Sequence, residues 1–176
     1  MKRVLIVAAT GLFCAGCFQS DAQLYAGVKP LTPFHSGPVT SRDKDGKTEA
    51  MTLALGADGV YRLAPKKPPR GSADIVLLRF FPLAGAPDLL VAEVRDCGDS
   101  SLARCAVGKS FNYELVRAQP DRAEWRDPDC SKTFSKLAGV AVTIDSCKFG
   151  DRASLEKALR VAAALPWQAD GAYLLH

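Results

Sequence analysis

Six cysteines and two histidines are the residues of this 176-residue chain best suited to chemistry, and their placement decides between nucleophile, metal ligand and structural staple. Nucleophilic catalysis needs a serine or cysteine, a base within hydrogen-bond reach and a group that orients the base. The two imidazoles are His35, beside Ser36 in a proline-rich stretch, and His176, the last residue, and neither stands on a segment that would fix its geometry. No G-x-S-x-G occurs, and Thr133-x-x-Lys136 has the spacing of an S-x-x-K acylation motif with the wrong nucleophile. Among the cysteines after residue 17 there is no C-x-x-C, and with so few histidines a zinc site is not expected. Asp96 and Asp99, like Asp127 and Asp129, read as turn formers rather than as a glycosidase pair set across a cleft. No glycine-rich phosphate loop joins a strand to a helix. The expectation is therefore no catalytic residue, no cofactor and no metal.

What the cysteines do depends on where the chain is sent. Lys2 and Arg3, the apolar run from Val4 to Phe13 and the small residues Ala15 and Gly16 form a secretory signal. That run falls far short of the roughly 20 residues a spanning helix needs. Its end, Ala15-Gly16-Cys17, resembles the lipobox of bacterial lipoproteins, with Cys14 where that family usually carries leucine. The resemblance covers the first seventeen residues and implies cleavage before Cys17, a diacylglycerol on its thiol and acylation of its amine. Several acyl chains hold a protein on a bilayer essentially permanently, whereas one gives only marginal binding. Phe18 rather than aspartate after the cysteine implies, by the same resemblance, sorting to the outer membrane with the domain facing the periplasm.

With Cys14 cleaved away and Cys17 lipidated, Cys97, Cys105, Cys130 and Cys147 remain in an oxidising compartment, where disulfides are the default and three connectivities are possible. Cys97 with Cys105 and Cys130 with Cys147 is the favoured arrangement, because each pair brackets one polar, turn-rich excursion between strand-like runs. Removing Lys2 and Arg3 from 23 basic residues facing 19 acidic ones leaves a formal charge of +2. A balance this near neutral argues against nucleic acid as a partner.

The elements that would position these residues are mostly strands. Residues 17–47, broken by Pro30, Pro33 and Pro38, read as the lipidated N-terminus and a tether after the 1–16 signal peptide, and 48–176 as one β-rich domain. Met51, Leu53 and Leu55 alternate into the Gly56-Ala57-Asp58-Gly59 turn and the return strand Val60 to Leu63. Ile75 to Leu83 with Leu90, Ala92 and Val94 forms a second hairpin. A third sets Phe111, Tyr113 and Leu115 on one face of a strand and Asn112 and Glu114 on the other, before a turn into Ala123 to Arg126. Val140, Val142 and Ile144 mark a further strand. After Asp151, a helical N-cap, Leu155, Ala158, Leu159, Ala162 and Leu165 recur at helical spacing until Pro166. Ala169-Asp170-Gly171 then turns into a last strand that echoes residues 57–63. The fold class expected is mainly β (α+β): an antiparallel meander of seven or eight strands, barrel-like or strongly bent, with one C-terminal amphipathic helix packed on it and two disulfides.

Together these readings predict a membrane-anchored periplasmic lipoprotein, a non-enzymatic binding or envelope-maintenance module that meets the membrane through the lipid on Cys17 and recognises an envelope protein, peptidoglycan or a lipid. Two alternatives stay open: an inhibitor of hydrolases such as lysozymes, by analogy of architecture alone, and a periplasmic hydrolase with an atypical site.

Overall fold

The alternating runs become β1 (Phe18–Ser20), β2 (Gly37–Asp43), β3 (Thr48–Leu55), β4 (Tyr61–Pro65), β5 (Val76–Pro82), β6 (Leu90–Asp96), β7 (Phe111–Ala118), β8 (Arg122–Arg126), β9 (Val140–Val142), β10 (Cys147–Phe149), the helix α1 (Arg152–Ala163) and β11 (Gly171–Leu175). The computed structural model describes residues 18–66, 75–97, 110–130, 134, 136–137, 139–142 and 146–176. From β2 to β8 each strand pairs antiparallel with the next, and β11 closes the ring by pairing with β8 on one side and β2 on the other. The meander is thus a closed eight-stranded barrel, a size whose interior is filled by side chains or holds one small ligand.

A period of two gives every barrel strand a lumen face and an outer face. Leu53 lies opposite Leu63 and Leu78 opposite Val94 across their ladders, so one continuous apolar cluster fills the lumen. One end of the lumen is plugged from outside the strands. The Phe34 ring packs edge-on against Tyr61 and Phe80, with centroids 6.2 and 5.2 Å away. The Tyr61 hydroxyl accepts from the Phe34 amide at 3.0 Å and donates to its carbonyl at 2.7 Å.

The second core lies outside the barrel wall. Phe81, Val91, Tyr113 and Leu115 point outward from β5, β6 and β7 and are covered by Leu155, Ala158, Leu159 and Ala162 of α1 and by Phe18 and Tyr25 from the N-terminal segment. Tyr25 stacks on Phe81 at 4.2 Å. Asp151 caps α1, its carboxylate accepting from the Ser154 amide at 2.8 Å and lowering its own pKa by that bond. The helix ends at Ala163, so Leu165, expected on its apolar face, is half exposed. It lies along the outer wall rather than over an opening, because both its buried stripe and the outer faces of β5 to β7 are apolar.

The N-terminal boundary also differs from the sequence expectation. Residues 18–47 are not a tether: β1 pairs antiparallel with β7 and parallel with β10, Phe18 and Tyr25 are fully buried, and β2 is a barrel strand. The prolines suggested a spacer, but the segment drapes over the barrel as irregular chain, and its apolar residues therefore follow no strand or helix period. A buried ion pair pins it there. Glu93, 3% exposed, takes Arg79, the Gln23 amide at 3.2 Å and the Tyr113 hydroxyl at 3.3 Å, and that hydroxyl accepts from the Leu24 amide at 3.1 Å.

Candidate functional site

The lumen holds the residues with the most chemical potential. Its cavity is walled by side chains such as Val39, Leu53, Leu63, Leu78 and Phe80, and one carboxyl, Glu114, enters this apolar lining. Glu114 shares the lumen face of β7 with Val116 and Asn112, two residues away on either side. It makes no hydrogen bond or ion pair among the described residues, and the Asn112 amide oxygen is likewise buried without a partner. Part of Glu114's surface remains accessible where it lines the cavity, yet desolvation, followed by the carboxylates of Asp127 and Asp170, pushes its pKa up to about 8. At neutral pH the group is mostly a neutral acid.

Beside it, Trp125 of β8 and Tyr173 of β11 are stacked, with centroids 4.5 Å apart and planes 27° from parallel. Burial, and then the Glu114 carboxyl, raise the pKa of the Tyr173 phenol, so it stays protonated. The indole lies flat against the wall because its register partner is Gly171: a Cβ there would stand 2.1 Å from the ring. Glu114 and Tyr173 likewise face small partners, Ala92 and Ala123. The two alanines leave space beside Glu114 and Tyr173, whereas the room over Gly171 is filled by the indole itself. The lumen cavity has a volume of about 20 Å³, enough to admit a water.

No known family, curated protein or solved structure matches the chain. Its function must therefore be argued from this lumen and from the residues the sequence singled out.

Those residues are scattered. Cys130 and Cys147 form the expected disulfide, with Cα atoms 5.5 Å apart, tying β10 to the chain after β8. It is the one disulfide seen among the described residues where two were expected. Cys97 is disulfide-bonded, but Cys105, its expected partner, lies outside the described residues, as do Cys14, Cys17, Asp99 and Thr133. His35 is exposed, and the neighbouring Ser36 hydroxyl accepts from the Leu55 amide at 2.9 Å. His176 meets the Thr40 hydroxyl at 3.0 Å on the outer surface. Asp127 and Asp129 follow β8, and the Asp127 amide donates to Asp170 at 2.9 Å. Trp125, expected as a core or sheet-face aromatic, is in the lumen. Glu114 was legible only as the polar side of an alternating strand. The signal against it was strong: Phe111, Tyr113 and Leu115 form the more apolar face of β7, but that face points outward beneath α1.

Proposed function

We propose that this chain is a lipid-anchored, non-enzymatic binding module of the cell envelope and that the barrel lumen is its recognition site. The observation carrying the binding reading is the unpartnered Glu114 carboxyl beside a stacked aromatic pair in an otherwise apolar cavity. Pockets of this kind, apolar with a few placed polar groups, recognise small molecules. The anchoring reading rests on the Ala15-Gly16-Cys17 motif. The next residue, Phe18, is already buried in β1, so lipid on Cys17 would hold the barrel against the bilayer with no spacer between them.

The test has two arms. Cells grown with radiolabelled palmitate are expected to label the native chain and not its Cys17→Ser variant, which should leave the membrane fraction. In-cell crosslinking and recovery from solubilised envelope then asks what the anchored chain holds. Absence of label overturns the anchor. Robust turnover of ester, peptide or glycan substrates that one point substitution abolishes overturns the non-enzymatic reading.

A further inference from the structure

We propose that the lumen binds a small organic ammonium ion, its charge against Glu114 and its apolar substituents against Trp125 and Tyr173. This deepens the binding-module reading and rests on it. Three features of the cavity and one beside it point to that ligand chemistry. Glu114 has no partner among the described residues, although a buried carboxyl is normally paired or hydrogen-bonded. The Asn112 amide oxygen, two residues along the same face of β7 and outside the cavity lining, is a second buried acceptor without a donor among the described residues. Trp125 and Tyr173 supply the aromatic faces over which ammonium groups bind. The cavity lining contains no lysine or arginine, and the carboxylates acting on Glu114 are those of Asp127 and Asp170, so the potential favours a cation and opposes an anion.

Size and shape narrow the class. The small partners Ala92 and Ala123 leave room opposite Glu114 and Tyr173, while Phe34 seals the apolar far side. The cavity volume of about 20 Å³ is that of a water, so a head group with a few carbon atoms enters as the lining moves apart, and a long acyl chain has no room. Charge balance adds a signature. At neutral pH Glu114 carries a proton, and pairing with an ammonium releases that proton to solvent. The groups facing it are Tyr173 from β11, Asp127 after β8 and Asp170 before β11, with uncharged Ala92 on β6. Affinity therefore rises about tenfold per pH unit up to about pH 8 and levels above it.

The experiment is titration calorimetry on the full chain in maltoside micelles, in amine-free buffers at pH 6 to 9, with butylammonium, tetramethylammonium, butanol and butyrate as probes. The expected result is binding of the two ammonium ions, tightening with pH, with about one proton released at pH 7. Glu114→Gln should weaken ammonium binding at least tenfold while retaining its near-ultraviolet circular dichroism. A second arm distinguishes two sources of the same head group. Free ethanolamine or choline that binds in solution identifies a soluble amine. A Glu114-dependent change in tryptophan emission seen only on phosphatidylglycerol vesicles that also contain phosphatidylethanolamine identifies a lipid head group. Equal affinity for butanol and butylammonium, tighter binding of butyrate, or no binding of any probe in either arm overturns the proposal. Palmitate labelling and envelope crosslinking are unaffected by those outcomes, so the broader reading stands or falls separately.

Discussion

Replacing Glu114 by glutamine tests whether the lumen really holds a carboxyl at an energetic disadvantage. In the folded chain its pKa is raised from 4.5 to about 8, so between those values the folded state keeps a proton that the unfolded state releases. Stability from this group is complete below the unfolded pKa, declines as pH rises through the interval, and is flat above the folded pKa. At about 1.4 kcal/mol per pH unit the whole interval is worth about 5 kcal/mol, of which about 3 is already lost at pH 7 and under about 1 at pH 5. Glutamine keeps the shape and the polar amide without the ionisation. Urea unfolding followed by tryptophan fluorescence at pH 5, 7 and 9, in amine-free buffer with disulfides intact, reads the difference as a midpoint shift at constant slope. Glu114→Gln is expected to match the parent within about 1 kcal/mol at pH 5 and to exceed it by about 5 kcal/mol at pH 9. Other titrating groups cancel in the comparison because both chains share them. Parallel curves, with the same gap at all three pH values, would refute the assignment of a buried, unpaired carboxyl.

Two further substitutions probe the walls of the same site and the strap across the barrel. Gly171→Ala puts a methyl 2.1 Å from the Trp125 ring and 2.6 Å from the Arg42 carbonyl, so the indole must swing into the lumen. The expected loss is about 1–3 kcal/mol of stability, with a shifted tryptophan emission maximum, and an unchanged maximum would count against the packing described. Glu93→Ala removes the acceptor shared by Arg79, Gln23 and Tyr113, leaving a largely buried guanidinium unpaired. About 3 kcal/mol is expected to be lost, together with faster proteolysis within residues 18–36. Global destabilisation without new cleavage there would show that Glu93 does not hold the strap.

Strands that bury apolar side chains on alternate positions were readable one at a time. The hairpins β3–β4, β5–β6 and β7–β8, the capped helix and the last strand all fall where period and turn residues place them. Closure was not readable, because it depends on β11 pairing with β2, and β2 carries little of the signal: in Gly37–Asp43 only Val39 is buried. A strand whose lumen contribution is one valine, with a proline at its second position, resembles a linker until its neighbours are known. The same holds for β1 and β10, three residues each, whose ladders are long-range and leave no local period to find. The echo between residues 57–63 and 169–175 has a local explanation: both are turns entering lumen strands, and both set a tyrosine, Tyr61 and Tyr173, facing inward.

The site was hidden for a different reason, and that reason bears on what it does. In a strand, alternation identifies two faces but does not say which one is the core. β7 lies between two cores and buries its aromatic face under α1, leaving Asn112, Glu114 and Val116 for the lumen. A lumen evolved only for stability would carry apolar residues there, since replacing a buried unpaired acid by a packed apolar side chain removes a desolvation penalty of several kcal/mol. The alanines opposite Glu114 and Tyr173 compound that penalty, because each forfeits packing contacts that a larger side chain would make. Two pairings, Glu114 with Ala92 in the β6–β7 ladder and Tyr173 with Ala123 in the β8–β11 ladder, give up packing inside the barrel. Stability is spent where an occupant would recover it, and the recovered contacts are those of a cation with an apolar flank.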